Sequence, residues 1–113
     1  MPSTPEALRV LTTTDREDHA GRIAEELVGR RLAACVNIIP RIRSVYRWKG
    51  EVARDEEFLL LCKTRPDRFE DLRAAVRGIH TYDCPEVIAV PVTAGDPDYL
   101  GWLTGEVDPT GGR

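Results

Sequence analysis

The stretch from Glu57 to Thr64, Glu-Phe-Leu-Leu-Leu-Cys-Lys-Thr, restricts what this chain can become more than any other. Phe58, Leu60 and Cys62 alternate with Leu59 and Leu61, so a strand here is apolar on both faces. An antiparallel sheet with one face in water alternates apolar with polar residues. A strand that does not alternate must be covered twice. The chain's own helices supply one cover. A length of 113 residues makes one small domain and leaves little for a second cover. Another subunit is the expected cover, in a cyclic oligomer whose subunit number the periodicity leaves open.

The other elements fall around this strand. Leu8 to Thr12 alternates as a first strand. Asp15 reads as an N-cap, with Asp18 in a capping-box-like position. The predicted helix runs to about Arg31 on the stripe Ile23, Ala24, Leu27, Val28. Cys35 to Ile39 is a second strand, interrupted by Pro40 and resuming from Ile42 to Trp48. Ile42, Ser44, Tyr46 and Trp48 lie on one face of it; Arg41, Arg43, Val45, Arg47 and Lys49 lie on the other. Gly50 is the turn into the third strand. Pro66 opens a second helix with Phe69, Leu72, Val76 and Ile79 in register. Val87 to Val90 is a fourth strand, and Asp96-Pro97 caps a short last helix carrying Tyr99, Leu100 and Leu103.

The order β-α-β-β-α-β plus a terminal helix is an α+β, ferredoxin-like sandwich with both main helices on one sheet face. The predicted domain spans 7–106, after a disordered leader at 1–6 and before a flexible Pro/Gly tail at 107–113.

A net charge of −3 argues against a general nucleic-acid or membrane-surface binder, since both depend on a positive field. The stripe Arg41, Arg43, Arg47 does not change this, because Tyr46 and Trp48 face the other way and no RNA-recognition sequence is present. No charged leader with an apolar core and no long apolar run is found, so neither a signal peptide nor a membrane span is expected. Three cysteines at irregular spacing suggest no disulfide framework and a reducing, cytoplasmic setting.

Chemistry-bearing groups concentrate in His80-Thr81-Tyr82-Asp83-Cys84-Pro85-Glu86. Imidazole and thiolate suit copper and zinc, and His80 and Cys84 are close enough to share an ion if the turn folds back. Glu86 or Asp83 adds an oxygen donor, and Cys35 is a weaker thiol candidate. Equally, His80 can hydrogen-bond at a helix C-terminus and Cys84 can act as a small apolar plug. Cys62, mid-strand among leucines, reads as core. No nucleophile–base pair is visible, so an enzyme is not expected. Thr12-Thr13-Thr14 precedes a helix start, where an anion can sit, but no Gly-rich loop accompanies it.

Several separated motifs then resemble the CutA family, the divalent-ion tolerance proteins. They are Leu32-Ala33-Ala34-Cys35-Val36-Asn37-Ile38-Ile39-Pro40, Ser44-x-Tyr46-x-Trp48-x-Gly50, Glu57, Lys63-Thr64, His80-x-Tyr82, Pro85-Glu86, Pro91-Val92 and Gly95-Asp96-x-Asp98-Tyr99-Leu100-x-Trp102-Leu103. The turn departs from the family's His-Pro-Tyr-Glu, with Thr81 for the proline and Asp83 for the glutamate. The resemblance implies a ferredoxin-like fold, a tight homotrimer and a cytoplasmic protein associated with copper and other divalent cations. It also implies likeness to the trimers of PII-type signalling proteins.

The expectation is a non-enzymatic homotrimer that binds copper, or another divalent cation such as zinc. Its metal ligands are expected at His80 and Cys84, with Cys35 and Glu86 secondary. Tyr46, Trp48, Glu57, Lys63, Tyr82 and Asp83 are expected in clefts between subunits. The alternative is a PII-like sensor that binds an anionic small molecule or nucleotide in those clefts.

Overall fold

The doubly apolar strand lies inside a four-stranded sheet. The computed structural model describes residues 5–109. In chain order the elements are β1 (Leu8–Thr14), α1 (Glu17–Gly29), β2 (Cys35–Trp48), β3 (Glu51–Thr64), α2 (Phe69–Ile79), β4 (Val87–Pro91) and α3 (Pro97–Glu106), with a 3-10 turn at Pro66–Arg68 leading into α2. The sheet order is β2-β3-β1-β4, and every neighbouring pair is antiparallel. The α+β expectation holds at this level, with the helices where their periodicity placed them.

Register fixes the two faces of the sheet. Val10 lies opposite Cys62 and Thr12 opposite Leu60, and all four are fully buried. With Ala20, Ile23 and Leu27 of α1 and Leu72, Ala75 and Val76 of α2 they form the core. Each fully buried Leu or Ile there contributes about 1.5–3 kcal/mol of transfer free energy. The opposite face pairs Leu11 with Leu61, Leu11 with Ile88, and Ile39 with Leu59. The core residues of α1 and α2 pack on the other face, and Ile39, Ile88 and Val90 on this one are 40%, 52% and 46% exposed.

β2 and β3 outrun the rest of the sheet. β1 pairs with β3 only from Phe58 onward, whereas β2 stays paired with β3 down to Trp48 opposite Glu51. The segment from 42 to 57 therefore projects as a two-stranded arm, and the chain measures 46 × 33 × 22 Å. Lys49 (φ 49°) and Gly50 (φ 82°) close the tip as a two-residue turn with both residues in the left-handed region. That turn matches the right-handed twist of the strands it joins.

Several sequence expectations are corrected here. Pro40 does not interrupt β2; it borders a β-bulge between Ile39 and Ile42, with Arg41 at φ 58°. Proline has no N–H for the ladder, and a bulge accommodates that loss. β3 begins at Glu51 rather than Glu57. Asp15 does not cap α1: Arg16 holds the N-cap position without a side-chain cap, and Asp18 turns to the Arg16 guanidinium at 2.9 Å. α1 ends at Gly29, and Arg31 (φ 57°) takes the left-handed position that closes it. At α3 the predicted cap is present, with Asp96 accepting from the backbone N–H groups of Asp98 and Tyr99.

Packing continues past residue 106. Val107 is fully buried and Asp108 pairs with Arg65 at 3.5 Å. Most of the predicted leader and tail, 1–4 and 110–113, lies outside the described residues.

Candidate functional site

The turn after α2 is tied to the sheet through His80. Its backbone N–H still bonds back to the Val76 carbonyl, which completes the helix end. Its ring reaches the end of β1, where Nε2 lies 2.6 Å from the Thr13 carbonyl oxygen. A carbonyl only accepts, so Nε2 carries the proton. Nδ1 then accepts from the Tyr82 backbone N–H at 3.1 Å. Both ring nitrogens are used, and the Tyr82 ring packs 4.4 Å from the imidazole.

This clamp aims Tyr82 across the sheet at the base of the arm. Its hydroxyl donates to Glu57 Oε2 at 2.7 Å. Glu57 is 6% exposed and makes no ion pair among the described residues, so the phenol is the polar partner the structure gives it. Burial, and then the hydrogen bond to the Glu57 carboxylate, push the Tyr82 hydroxyl well above the ordinary phenol range. Nearer the tip of the arm, Tyr46 hydrogen-bonds Asp55, and that bond raises its pKa as well.

A cleft of about 760 Å³ opens between the arm and the turn. Its aromatic lining is Tyr46, Trp48 and Tyr82. Its charged lining is Asp15, Asp55, Glu57, Asp83 and Glu86 against one guanidinium, that of Arg43. Cys84 also faces the cleft and is exposed. Of the cleft residues expected from sequence, Tyr46, Trp48, Glu57, Tyr82 and Asp83 come together in one chain, while Lys63 does not join them.

Lys63 sits at the far end of β3 from the arm, directly opposite Cys35 in the register. Its Nζ lies 3.7 Å from Cys35 Sγ and also bonds Asn37 Oδ1. Cys62, one residue away, faces the core, and burial holds its thiol up to about 12.

These positions do not assemble the expected metal ligands. His80 has no lone pair free in this arrangement, because one nitrogen donates to Thr13 and the other accepts from Tyr82. Cys35 faces a lysine ammonium, which repels a cation, and lies away from the cleft. Among the described residues no three His, Cys, Asp or Glu side chains gather as a metal ion requires. The described residues of one chain therefore form no ready copper or zinc centre. Cys84, Glu86 and Asp83 remain as exposed donors along one wall of the cleft.

Sequence reasoning missed Asp15, Asp55 and Arg43 as cleft residues and Thr13 as the partner of His80. Asp55 was the most accessible of these. It follows Ala53, the partner of Tyr46, by two residues and so lies on the same face one diagonal step away. The Thr13 contact is a backbone carbonyl far away in sequence and leaves no side-chain signal.

The fold and cleft define a small α+β domain with an exposed apolar sheet face and an acidic, aromatic cleft beneath a projecting arm. Residues 8–106 match the family model described as CutA1 divalent ion tolerance protein. The chain belongs to that family. It is 49% identical over 94 residues to the divalent-cation tolerance protein CutA of Thermus thermophilus, covering 83% of this chain and 91% of that one. It is 47% identical to the chloroplastic protein CutA of Arabidopsis thaliana, where 83% of this chain spans 52%, about half, of the relative. Among solved structures, CutA1 from Oryza sativa superposes with a TM-score of 0.89 at 40% identity, covering 94% of this chain and 97% of that one. The family description names a tolerance and no reaction.

Proposed function

We propose that this protein serves divalent-cation tolerance as a non-enzymatic, cytoplasmic homotrimer of ferredoxin-like subunits. The observation that carries the assembly is the uncovered half of the subunit. The arm from 42 to 57 is a two-stranded ribbon with no third strand, and such a ribbon is marginal alone in water. It carries Val45, Tyr46, Trp48 and Val52 at 41–65% exposure, continuous in sequence with an apolar sheet face. Further copies of the chain cover both surfaces in a closed ring.

The cleft supports the cation side of the reading. Five carboxylates (Asp15, Asp55, Glu57, Asp83, Glu86) face one guanidinium, so its field favours cations. The same charge works against the alternative of an anionic small molecule or nucleotide. Within the cleft, Cys84 is the soft donor suited to copper or zinc, with Glu86 and Asp83 as oxygen donors. A single chain leaves that set open, and His80 and Cys35 are engaged elsewhere.

Titrating Cu(I) and Zn(II) into the wild type, His80→Ala and Cys84→Ala/Glu86→Gln tests the reading. The expected outcome is binding retained in His80→Ala and weakened in the double variant. Equal binding by the wild type and the double variant would overturn the cleft as the cation site.

A further inference from the structure

The two ends of the chain carry opposite charge. On the arm, the run from Arg41 to Lys49 holds four cations (Arg41, Arg43, Arg47, Lys49) and no acid. The run from Val92 to Glu106 holds three acids (Asp96, Asp98, Glu106) and no cation. On the arm, Val45 pairs with Arg54 and Arg47 with Val52, so two valines and two guanidiniums alternate on the face turned from Tyr46 and Trp48. Val45 and Val52 are 65% and 46% exposed. Arg47 and Arg54 are exposed and make no ion pair among the described residues.

α3 lies across the sheet end opposite the arm. The Val92 N–H bonds the Ala7 carbonyl just before β1, Arg31 reaches the Glu106 carbonyl, and Asp108 pairs with Arg65 just after β3. Leu103 points inward from α3 and is buried. Asp98, Trp102 and Glu106 follow one another at i, i+4 and i+8 and so share a face. The Tyr99 ring lies 5.6 Å from that of Trp102, and the two are 45% and 46% exposed. Asp98 and Glu106 are exposed, and neither makes an ion pair among the described residues. α3 thus presents two aromatic rings bracketed by two carboxylates that the chain itself does not engage.

We propose that the arm of one copy docks head to tail on α3 of the next, with Arg47 and Arg54 set against Asp98 and Glu106. The inference rests on the closed-ring reading above and names the surface that receives the arm. A ring of identical subunits needs two different patches that fit each other, one on each side of the chain. These two fit in chemistry. Val45 and Val52 meet Tyr99 and Trp102, while the guanidiniums meet the carboxylates and can lie over the indole face. The patches sit at opposite ends of a chain 46 Å long, so no chain makes the contact with itself. Opposite charge also fixes which end meets which, since arm against arm or helix against helix sets like charges together.

The test follows the mass of the full-length protein by light scattering through a dilution series. Arg47→Glu/Arg54→Glu sets like charges against each other, so the concentration at which the assembly dissociates should rise about tenfold or more. Asp98→Lys/Glu106→Lys should do the same. All four substitutions in one chain restore the contact with its signs reversed, and the midpoint should return toward that of the wild type. The four side chains are exposed, and circular dichroism of each variant separates dissociation from unfolding. An unchanged midpoint in either double variant, or a quadruple variant no better than the doubles, would overturn the contact while leaving the ring reading in place. A wild type that is monomeric at every concentration would overturn both.

Discussion

The Tyr82 hydroxyl donates to Glu57 Oε2 at 2.7 Å, and this bond joins the turn after α2 to the base of the projecting arm. Glu57 is 6% exposed, so its carboxylate depends on that donor. Removing the donor leaves a buried acceptor short of a partner, which is costlier than the bond is worth. Tyr82→Phe should therefore destabilise the protein by about 1–3 kcal/mol. Denaturant unfolding of Tyr82→Phe, Glu57→Leu and the double variant checks this. A double variant more stable than Tyr82→Phe is expected, and strictly additive losses would count against the bond.

The same bond sets a pH dependence. The folded-state pKa of Tyr82 is raised by burial and by Glu57, so the neutral phenol is favoured by folding. Its contribution to stability is fully present below the ordinary tyrosine pKa of about 10 and is lost as pH rises toward the folded value. Alkaline titration followed by tyrosinate absorbance should show Tyr82 ionising later than free tyrosine. In Glu57→Gln its transition should move back toward the ordinary range. An unmoved transition would remove Glu57 as a cause.

His80 is a clamp in this structure, holding Thr13 of β1 with one nitrogen and Tyr82 with the other. His80→Ala should cost stability by about 1–3 kcal/mol while leaving Cu(I) and Zn(II) affinity within about twofold. Thermal unfolding and metal titration on the same sample separate the two readouts. Lost affinity with unchanged stability would reverse the assignment.

The tip of the arm depends on Gly50 at φ 82°. A side chain there is strained whatever the space around it, and Gly50→Ala should destabilise the arm by about 1 kcal/mol. Amide exchange should rise at the arm's outer residues first. Uniform exchange across β1 and β3 would contradict a local effect.

Periodicity carried far in this chain because the strongest patterns were also the tertiary ones. Leu60 and Cys62 against Leu59 and Leu61 foretold a strand with two faces to cover, and the register bears out which residues share each face. Local chemistry misled where a stronger partner was nearby. Asp15 and Asp18 have cap-type side chains, yet Asp18 takes the Arg16 guanidinium instead, which holds its carboxyl at about 2. Most of the expected cleft residues do gather in one chain, while the side-chain partners within it were not legible. His80 and Cys84 looked like partners because they are four apart, but His80 spends both nitrogens on backbone groups, one of them in β1. Lys63 was expected in a cleft between subunits; within one chain the ladder sets it against Cys35. Both side chains meet partners far away in sequence, His80 at Thr13 and Lys63 at Cys35, which spacing along the chain does not encode.

The account turns on the uncovered sheet face and the arm, so the mass of the assembly tests it most directly. Light scattering on the eluting protein should give three times the 12.7 kDa of one chain. Leu61→Asp, on the uncovered face, should shift the mass toward that of a single chain. A wild-type protein that elutes as a stable monomer would contradict the account.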